Sequence, residues 1–280
     1  MHSDTNTEAR EDVHSFPSCD DTNWQVPEFD VLDLGSKQHK FVLVIPVLNE
    51  GQRIQGQLRN LAALNHPIDI IIADGGSTDG SLEADFLREV GVRARLTKTG
   101  PGKLSAQLRM AYAWALRQGY EGIVTVDGNG KDGMEAIPLF LEKMSNGYDY
   151  VQGSRYHTDG AHENTPLERT MANRMIHAPI LSLASGTKLT DTTNGYRAYS
   201  ARFLMNPAVQ PFRNVFDAYE LLFYLSVRAG QLGLRVTEVP VSRSYPRSGK
   251  TPTKIAGFSG KLKILKQTLA AALGSFSPKD

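Results

Sequence analysis

The feature that most constrains this chain is a fourfold alternation of short apolar runs and amphipathic stretches between Phe41 and Met144. Phe41 to Val47, Ile68 to Ala73, Val92 to Leu96 and Gly122 to Val126 are too short for stable helices and end in polar loops, so each reads as a buried strand. Between and after them, Glu50 to Leu64, Ser81 to Val90, Ser105 to Gln118 and Gly133 to Met144 carry apolar residues at helical spacing. Ile54, Leu58, Leu61 and Ala62 form one such face. A parallel neighbour is reached only by a crossover, usually a helix. The alternation therefore predicts an α/β domain with a mostly parallel central sheet covered by helices on both faces. Ligands of such sheets bind beyond the carboxyl ends of the strands.

After Tyr150 to Gln152, a further short strand, the regular alternation stops. Helices are expected near Leu167 to Ala184 and over Ala218 to Arg228, a strand over Arg235 to Val241, and a basic amphipathic helix over Phe258 to Leu273. Residues 1–36 hold nine acidic side chains against Arg10, without a sustained apolar period. They read as an acidic, disordered arm with one anchoring patch near Trp24 to Phe29. Three segments result: the arm (1–36), a folded domain (37–257) and a basic helix with its tail (258–280). The formal net charge of +1 hides −8 on the arm and +9 on the remainder, and residues 243–280 alone carry eight Lys or Arg against Asp280. That end suits an anionic ligand or surface. Cys19, the single cysteine, excludes an internal disulfide and a Cys-rich metal site. The chain has no signal-peptide pattern and no run near the ~20 apolar residues that span a bilayer. A cytoplasmic protein is expected, soluble or peripheral at the inner face of the membrane.

Three carboxylates, Glu50, Asp74 and Asp127, follow three of these strands, with Asp79 and Asp132 nearby in sequence. Gathered at one sheet edge they repel unless a cation joins them, which points to Mg²⁺ or Mn²⁺ bridging the phosphates of a substrate. Singly, each also reads as a turn or N-cap residue; the recurrence is the signal. Gly128-Asn-Gly-Lys-Asp-Gly133 fits the dinucleotide fingerprint and leaves a nicotinamide-dependent dehydrogenase as an alternative. Asp127 and Asp132 oppose it, because they set negative charge against a pyrophosphate. Ser244-Tyr-Pro-Arg-Ser-Gly-Lys-Thr lacks the first glycine of a phosphate-binding P-loop, which leaves Arg247 and Lys250 as ordinary basic phosphate contacts. A nucleic-acid partner is not expected, and the oligomeric state stays open.

Taken in order, Ile45-Pro46-Val-Leu-Asn49-Glu50, Ala73-Asp74-Gly-Gly-Ser77-Thr-Asp79-Gly80 and Val126-Asp127-Gly128-Asn129 resemble the motifs of family 2 glycosyltransferases of the GT-A fold. Gly147 to Tyr156, Asn164 to Arg169 and Asp191 to Tyr199 extend the likeness, over about residues 40–260, to polyprenyl- and dolichyl-phosphate sugar synthases. The resemblance implies a UDP- or GDP-linked sugar donor and an inverting transfer to a polyprenyl phosphate or similar lipid-linked acceptor. The alternative acceptor is a soluble hydroxyl on a glycan or secondary metabolite. It implies that Pro46, Asn49 and Glu50 line the base and ribose pocket, and that Asp74, Ser77, Asp79, Lys103 and Gly128 belong to the donor site. Asp127 and Asn129 would occupy the Asp-x-Asp metal position. Arg155, Arg197, Arg247 and Lys250 would contact acceptor or donor phosphates. Asp191 would act as general base for a hydroxyl acceptor and would have only a positioning or structural role for a phosphate.

One departure bears on the metal. Asn129 supplies an uncharged amide where the family pattern has a second carboxylate, so metal affinity should fall, unless Asp132 substitutes or Lys131 partly replaces the ion. Peripheral membrane contact through Lys261, Lys263 and Lys266 of the C-terminal helix is a further expectation, set against the ordinary reading of that helix as one packed on the core.

Overall fold

The structure, a computed structural model, describes residues 21–245 and 257–278. Its elements are β1 (Phe29–Asp33), β2 (Phe41–Val47), α1 (Gln52–Leu64), β3 (Asp69–Asp74), α2 (Ala84–Glu89), β4 (Val92–Lys98) and α3 (Leu104–Arg117). Next come β5 (Gly122–Thr125), α4 (Ile137–Ser145), β6 (Tyr150–Ser154), β7 (Ala161–Glu163), α5 (Leu167–Ala172), a π-turn (Asn173–His177) and α6 (Ala178–Ser185). The chain closes with β8 (Arg197–Ser200), α7 (Ala201–Leu204), α8 (Glu220–Gln231), β9 (Val236–Pro240), β10 (Ser242–Ser244) and α9 (Gly257–Ala272).

Eight strands form one sheet in the order β1-β4-β3-β2-β5-β8-β6-β9, and β10 pairs with β7. Within the large sheet only β1 and β8 run antiparallel to their neighbours, so it is mostly parallel, as the alternation predicts. Alternate residues of β2 enter opposite cores, as period-two geometry requires. Val42 and Val44 pack with α3 and α8, while Leu43 and Ile45 pack with α1, α2 and α4.

One boundary differs from the sequence reading: residues 29–33, assigned to a disordered arm, form edge strand β1 against β4. The expected anchoring patch is present, with the Trp24 ring tilted against Phe212 at a centroid distance of 3.9 Å. The described part of the acidic segment thus belongs to the fold; Cys19 and the rest of residues 1–20 lie outside the described residues. Helix α9 packs on the fold, in line with the ordinary reading of that helix. Its Ala271 packs with Leu181 of α6 and with Phe223 and Val227 of α8. Thr268 of α9 meets His177 Nδ1 at 2.9 Å.

Candidate active site

The parallel register sets Val47 of β2 beside Asp74 of β3. Gln107, buried on α3, ties these strand ends together: its amide donates to the carbonyl of Val47 at 2.9 Å and to that of Ala73. Asp74 is buried. Its Oδ1 accepts the amides of Gly76 and Ser77 (3.1 and 2.8 Å), and its Oδ2 accepts the Thr97 hydroxyl at 3.2 Å. The facing loop is clasped by Asn49, whose Oδ1 accepts the Thr78 amide at 2.8 Å and whose own amide donates to Ser77 Oγ at 3.0 Å. Asp79 accepts from the Gly51 amide (2.8 Å) and from the Ser81 hydroxyl (2.7 Å). Burial pushes the Asp79 carboxyl up, but the hydrogen bonds from Ser81 and Gly51 outweigh it and hold its pKa below the usual value. Glu50 pairs with Arg53 at 2.9 Å. Beside these loops lies a cleft of about 460 Å³, lined by Pro46, Gly75, Lys98, Lys103, Tyr219 and Lys263 among others. The last comes from α9, so the C-terminal helix helps to build the site.

Asp127 follows β5 at the same edge. Gln57 of α1 fixes its loop by donating to the Asp127 carbonyl (3.1 Å) and accepting the Gly130 amide (2.9 Å). Two glycines let backbone approach it closely: a Cβ at Gly128 would lie 2.9 Å from the Pro46 carbonyl, and one at Gly195 would lie 2.5 Å from Asp127 Oδ1. Arg243 of β10 reaches in from the far end of the chain. Its Nη2 donates to Asp127 Oδ2 at 3.0 Å and its Nη1 to both oxygens of Asp132 at 2.7 and 2.6 Å. Burial pushes the Asp127 carboxyl up, but Arg243 prevails and holds it below its ordinary range. Asp132 is pushed up to about 6 by burial, even with Arg243 against it.

This donor set does not fit a tightly held divalent ion. The Asp132 side chain is wholly buried on Arg243, so its proposed service as a metal ligand is corrected. One Asp127 oxygen is likewise taken by Arg243. There remain the other Asp127 oxygen and Asn129 Oδ1, which is buried without a hydrogen-bond partner. Among the described residues no group of three His, Cys, Asp or Glu is placed to hold a metal. The Gly128 to Gly133 stretch is the turn that carries these contacts, with Asp132 bridged to Arg243 and a 3₁₀ turn starting at Met134.

A second basic group is linked to Arg243 through Tyr245. Arg155 is buried against Asp191: its Nε, Nη2 and backbone amide donate to the carboxylate at 2.6, 2.8 and 3.1 Å. Burial alone would lower the Arg155 pKa, but Asp191 raises it. Both oxygens of Asp191 are thus engaged by Arg155, a geometry that suits the positioning role of this residue more than that of a general base. Arg155 Nη1 points to the Tyr245 hydroxyl at 3.5 Å, and Lys131, Arg169 and Arg243 approach the Tyr245 ring to 5.2, 5.8 and 5.7 Å. The pKa of Tyr245, which burial would raise, is lowered by Arg243, Arg155 and Arg169. Arg197 is not a phosphate contact. It is fully buried in the core and donates to the carbonyls of Thr192, Asn194 and Leu222 and to Ser226 Oγ, bracing the loop before β8 against α8. Arg247 and Lys250 lie outside the described residues.

Sequence reasoning missed Arg243, Gln57, Gln107 and Tyr245. Each glutamine interrupts an otherwise apolar helix face, which is a legible signal. Arg243 carries none, because its partners are 116 and 111 residues away.

The mostly parallel sheet with helices on both faces agrees with the GT-A fold that the motif resemblance implies. The profile of the family described as glycosyl transferase family 2 matches residues 42–206, and the chain belongs to that family and is a glycosyltransferase. Membership removes the dehydrogenase alternative. An undecaprenyl-phosphate mannosyltransferase of Micrococcus luteus is 29% identical over 208 residues, covering 72% of this chain and 83% of that protein. A polyprenol monophosphomannose synthase of Mycolicibacterium smegmatis is 28% identical, over 72% and 76% of the two chains. A dolichyl-phosphate hexose transferase of Haloferax volcanii is 29% identical, over 82% and 93%. Among solved structures, glucosyl-3-phosphoglycerate synthase of Mycobacterium tuberculosis, in complex with Mn²⁺, UDP and its product, has a TM-score of 0.59 at 16% identity, over 86% and 81% of the chains.

Proposed function

We propose that this glycosyltransferase moves a sugar, with inversion, from a UDP- or GDP-linked donor to the phosphate of a polyprenyl-phosphate or similar lipid-linked acceptor. The observation that carries this reading is the Arg155–Asp191 pair. A hydroxyl acceptor needs a base, and the residue placed to serve is locked on an arginine; an ionised phosphate needs none. The basic side chains around Tyr245 suit that phosphate. Next to them, on the segment from α5 to α6, Leu167, Met171, Met175 and Leu183 are exposed at 73, 49, 69 and 87%, an apolar surface for an isoprenoid chain to meet. The named relatives act on polyprenyl and dolichyl phosphates, which supports the same acceptor class.

The donor belongs in the cleft of Pro46 and Lys103, with Asn49, Glu50, Asp74, Ser77 and Asp79 shaping its walls and Gly128 letting the Asp127 loop approach. Mn²⁺ accompanies UDP in the structural neighbour. Peripheral membrane contact is assigned to α5 and α6 rather than α9, whose apolar side chains pack partly on α6 and α8. No described helix is long and apolar enough to cross a membrane.

The test follows UDP or GDP release across a panel of nucleotide sugars with and without undecaprenyl phosphate. Release that depends on the lipid phosphate and yields an extractable glycolipid is expected. Release driven equally by simple glycosides, with no lipid product, sinks the reading.

A further inference from the structure

We propose that Arg243, with Lys131 beside it, is the cation this enzyme sets against the departing diphosphate, so that donor binding and transfer need no divalent ion. The inference rests on the transferase reading above.

Charge is the first argument. Two carboxylates and a divalent cation sum to zero, and so do Asp127, Asp132, Arg243 and Lys131. Geometry is the second. Arg243 spans both carboxylates at 2.6 to 3.0 Å and is itself buried. A metal that displaced it from Asp127 and Asp132 would strand the Asp132 charge in the interior. Ligand chemistry is the third: position 129 offers a neutral amide, and of the four carboxylate oxygens of Asp127 and Asp132, only Asp127 Oδ1 is not bonded to Arg243. A guanidinium supplies several donors in one plane and suits phosphoryl oxygens as well as carboxylates. The turn that carries Asp127 adjoins the cleft: Pro46 lines the cleft, and a Cβ at Gly128 would lie 2.9 Å from the Pro46 carbonyl.

In the transfer, the bond from the anomeric carbon to the β-phosphoryl oxygen breaks and its electron pair stays on the diphosphate. An acceptor phosphate oxygen supplies the pair for the new bond. The diphosphate gains one negative charge, the acceptor phosphate loses one, and no proton moves. Arg243 and Lys131 meet the charge where it develops.

Calorimetric titration of the full chain with UDP and with GDP, in EDTA and in excess Mn²⁺, tests this directly. The wild type should bind one of them with affinities that agree within ~3-fold in the two media. Asp132→Asn/Arg243→Met removes the guanidinium without stranding the wholly buried Asp132 charge. In EDTA it should bind ~10-fold or more weakly, and Mn²⁺ should recover much of the loss. Arg243→Lys, which keeps the charge, should remain indifferent to metal. Thermal melts establish that each variant is folded. Wild-type affinity that falls ~10-fold or more in EDTA overturns the proposal and leaves the transferase reading standing. So does a double variant that binds like wild type in EDTA. Failure of both nucleotides to bind in either medium overturns the UDP- or GDP-linked donor proposed above, and this proposal with it.

Discussion

Replacing Asp191 separates a base from a brace. The pair is fully internal, with Asp191 0% and Arg155 4% exposed at the side chain, and three N–H groups converge on the carboxylate. Asp191→Ala leaves a guanidinium buried without its partner, which costs ~3–5 kcal/mol. At roughly 2 °C per kcal/mol for a chain of this size, the melting temperature should fall by ~6–10 °C. Asp191→Asn keeps the shape and one acceptor but turns an amide N–H₂ toward arginine donors, for a loss of ~2–3 kcal/mol. A lost general base reduces turnover by ~10²–10⁴ and removes a limb of the pH–rate profile. A lost brace does neither in that proportion. Well below its melting temperature, Asp191→Asn should keep kcat/KM within ~10-fold of wild type with an unchanged pH profile, and its chief effect should be on acceptor KM. Scanning calorimetry and initial rates over the pH range where the wild type is folded supply both halves. If Asp191→Asn melts like the wild type and yet loses ~10³ in kcat with a flattened profile, the positioning role is wrong and Asp191 is the base.

Other perturbations have equally definite outcomes. Gly195→Ala sets a methyl group 2.5 Å from Asp127 Oδ1 and should cost ~1–3 kcal/mol while reducing donor turnover more than stability predicts, measured by melts and donor release. Arg197→Met strips donors from three buried carbonyls and should cost ~3 kcal/mol or more, with acceptor KM unchanged; a raised KM at wild-type stability would restore Arg197 to phosphate binding. Burial lowers the pKa of His177, so the unfolded chain takes the proton first as pH falls below ~6.5. Stability from this group is complete above that value and is lost toward the lower folded pKa. The melting temperature of wild type should therefore drop more on acidification through that window than that of His177→Gln.

The alternation was legible because β2 and β3 are apolar along nearly their whole length and buried on both faces, so composition alone marks them. Strands β1 and β8 escaped notice for opposite reasons. Phe29–Asp33 is an edge strand that is exposed or half-buried throughout, so its two aspartates and its surroundings read as a polar arm. Arg197–Ser200 is only four residues long and begins with a charge, which backbone carbonyls solvate in a way no pattern reports. At the site, residue types at strand ends were legible because the sheet dictates where they gather. Their pairings were not. Arg155 with Asp191 and Arg243 with Asp127 and Asp132 join distant segments, and these pairings decide which carboxylates are available to a ligand.

The direction of β8 explains how those segments meet. It runs antiparallel between β5 and β6, pairing Arg197 with Thr125 on one side and with Gln152 on the other. The start of β8 therefore lies at the carboxyl ends of its neighbours, and the loop that precedes it, Asp191 to Gly195, arrives at the edge that holds Asp127 and Arg155. A parallel strand in that place would have sent the loop to the opposite edge. The register is equally strict, because a slip of one residue exchanges the two faces of the strand. Such a slip would move Gly195 off Asp127 and turn Arg197 away from α8. Arg197 resists it by holding Thr192 and Asn194 from inside the core, so a residue outside the chemistry fixes the distance between the two basic subsites.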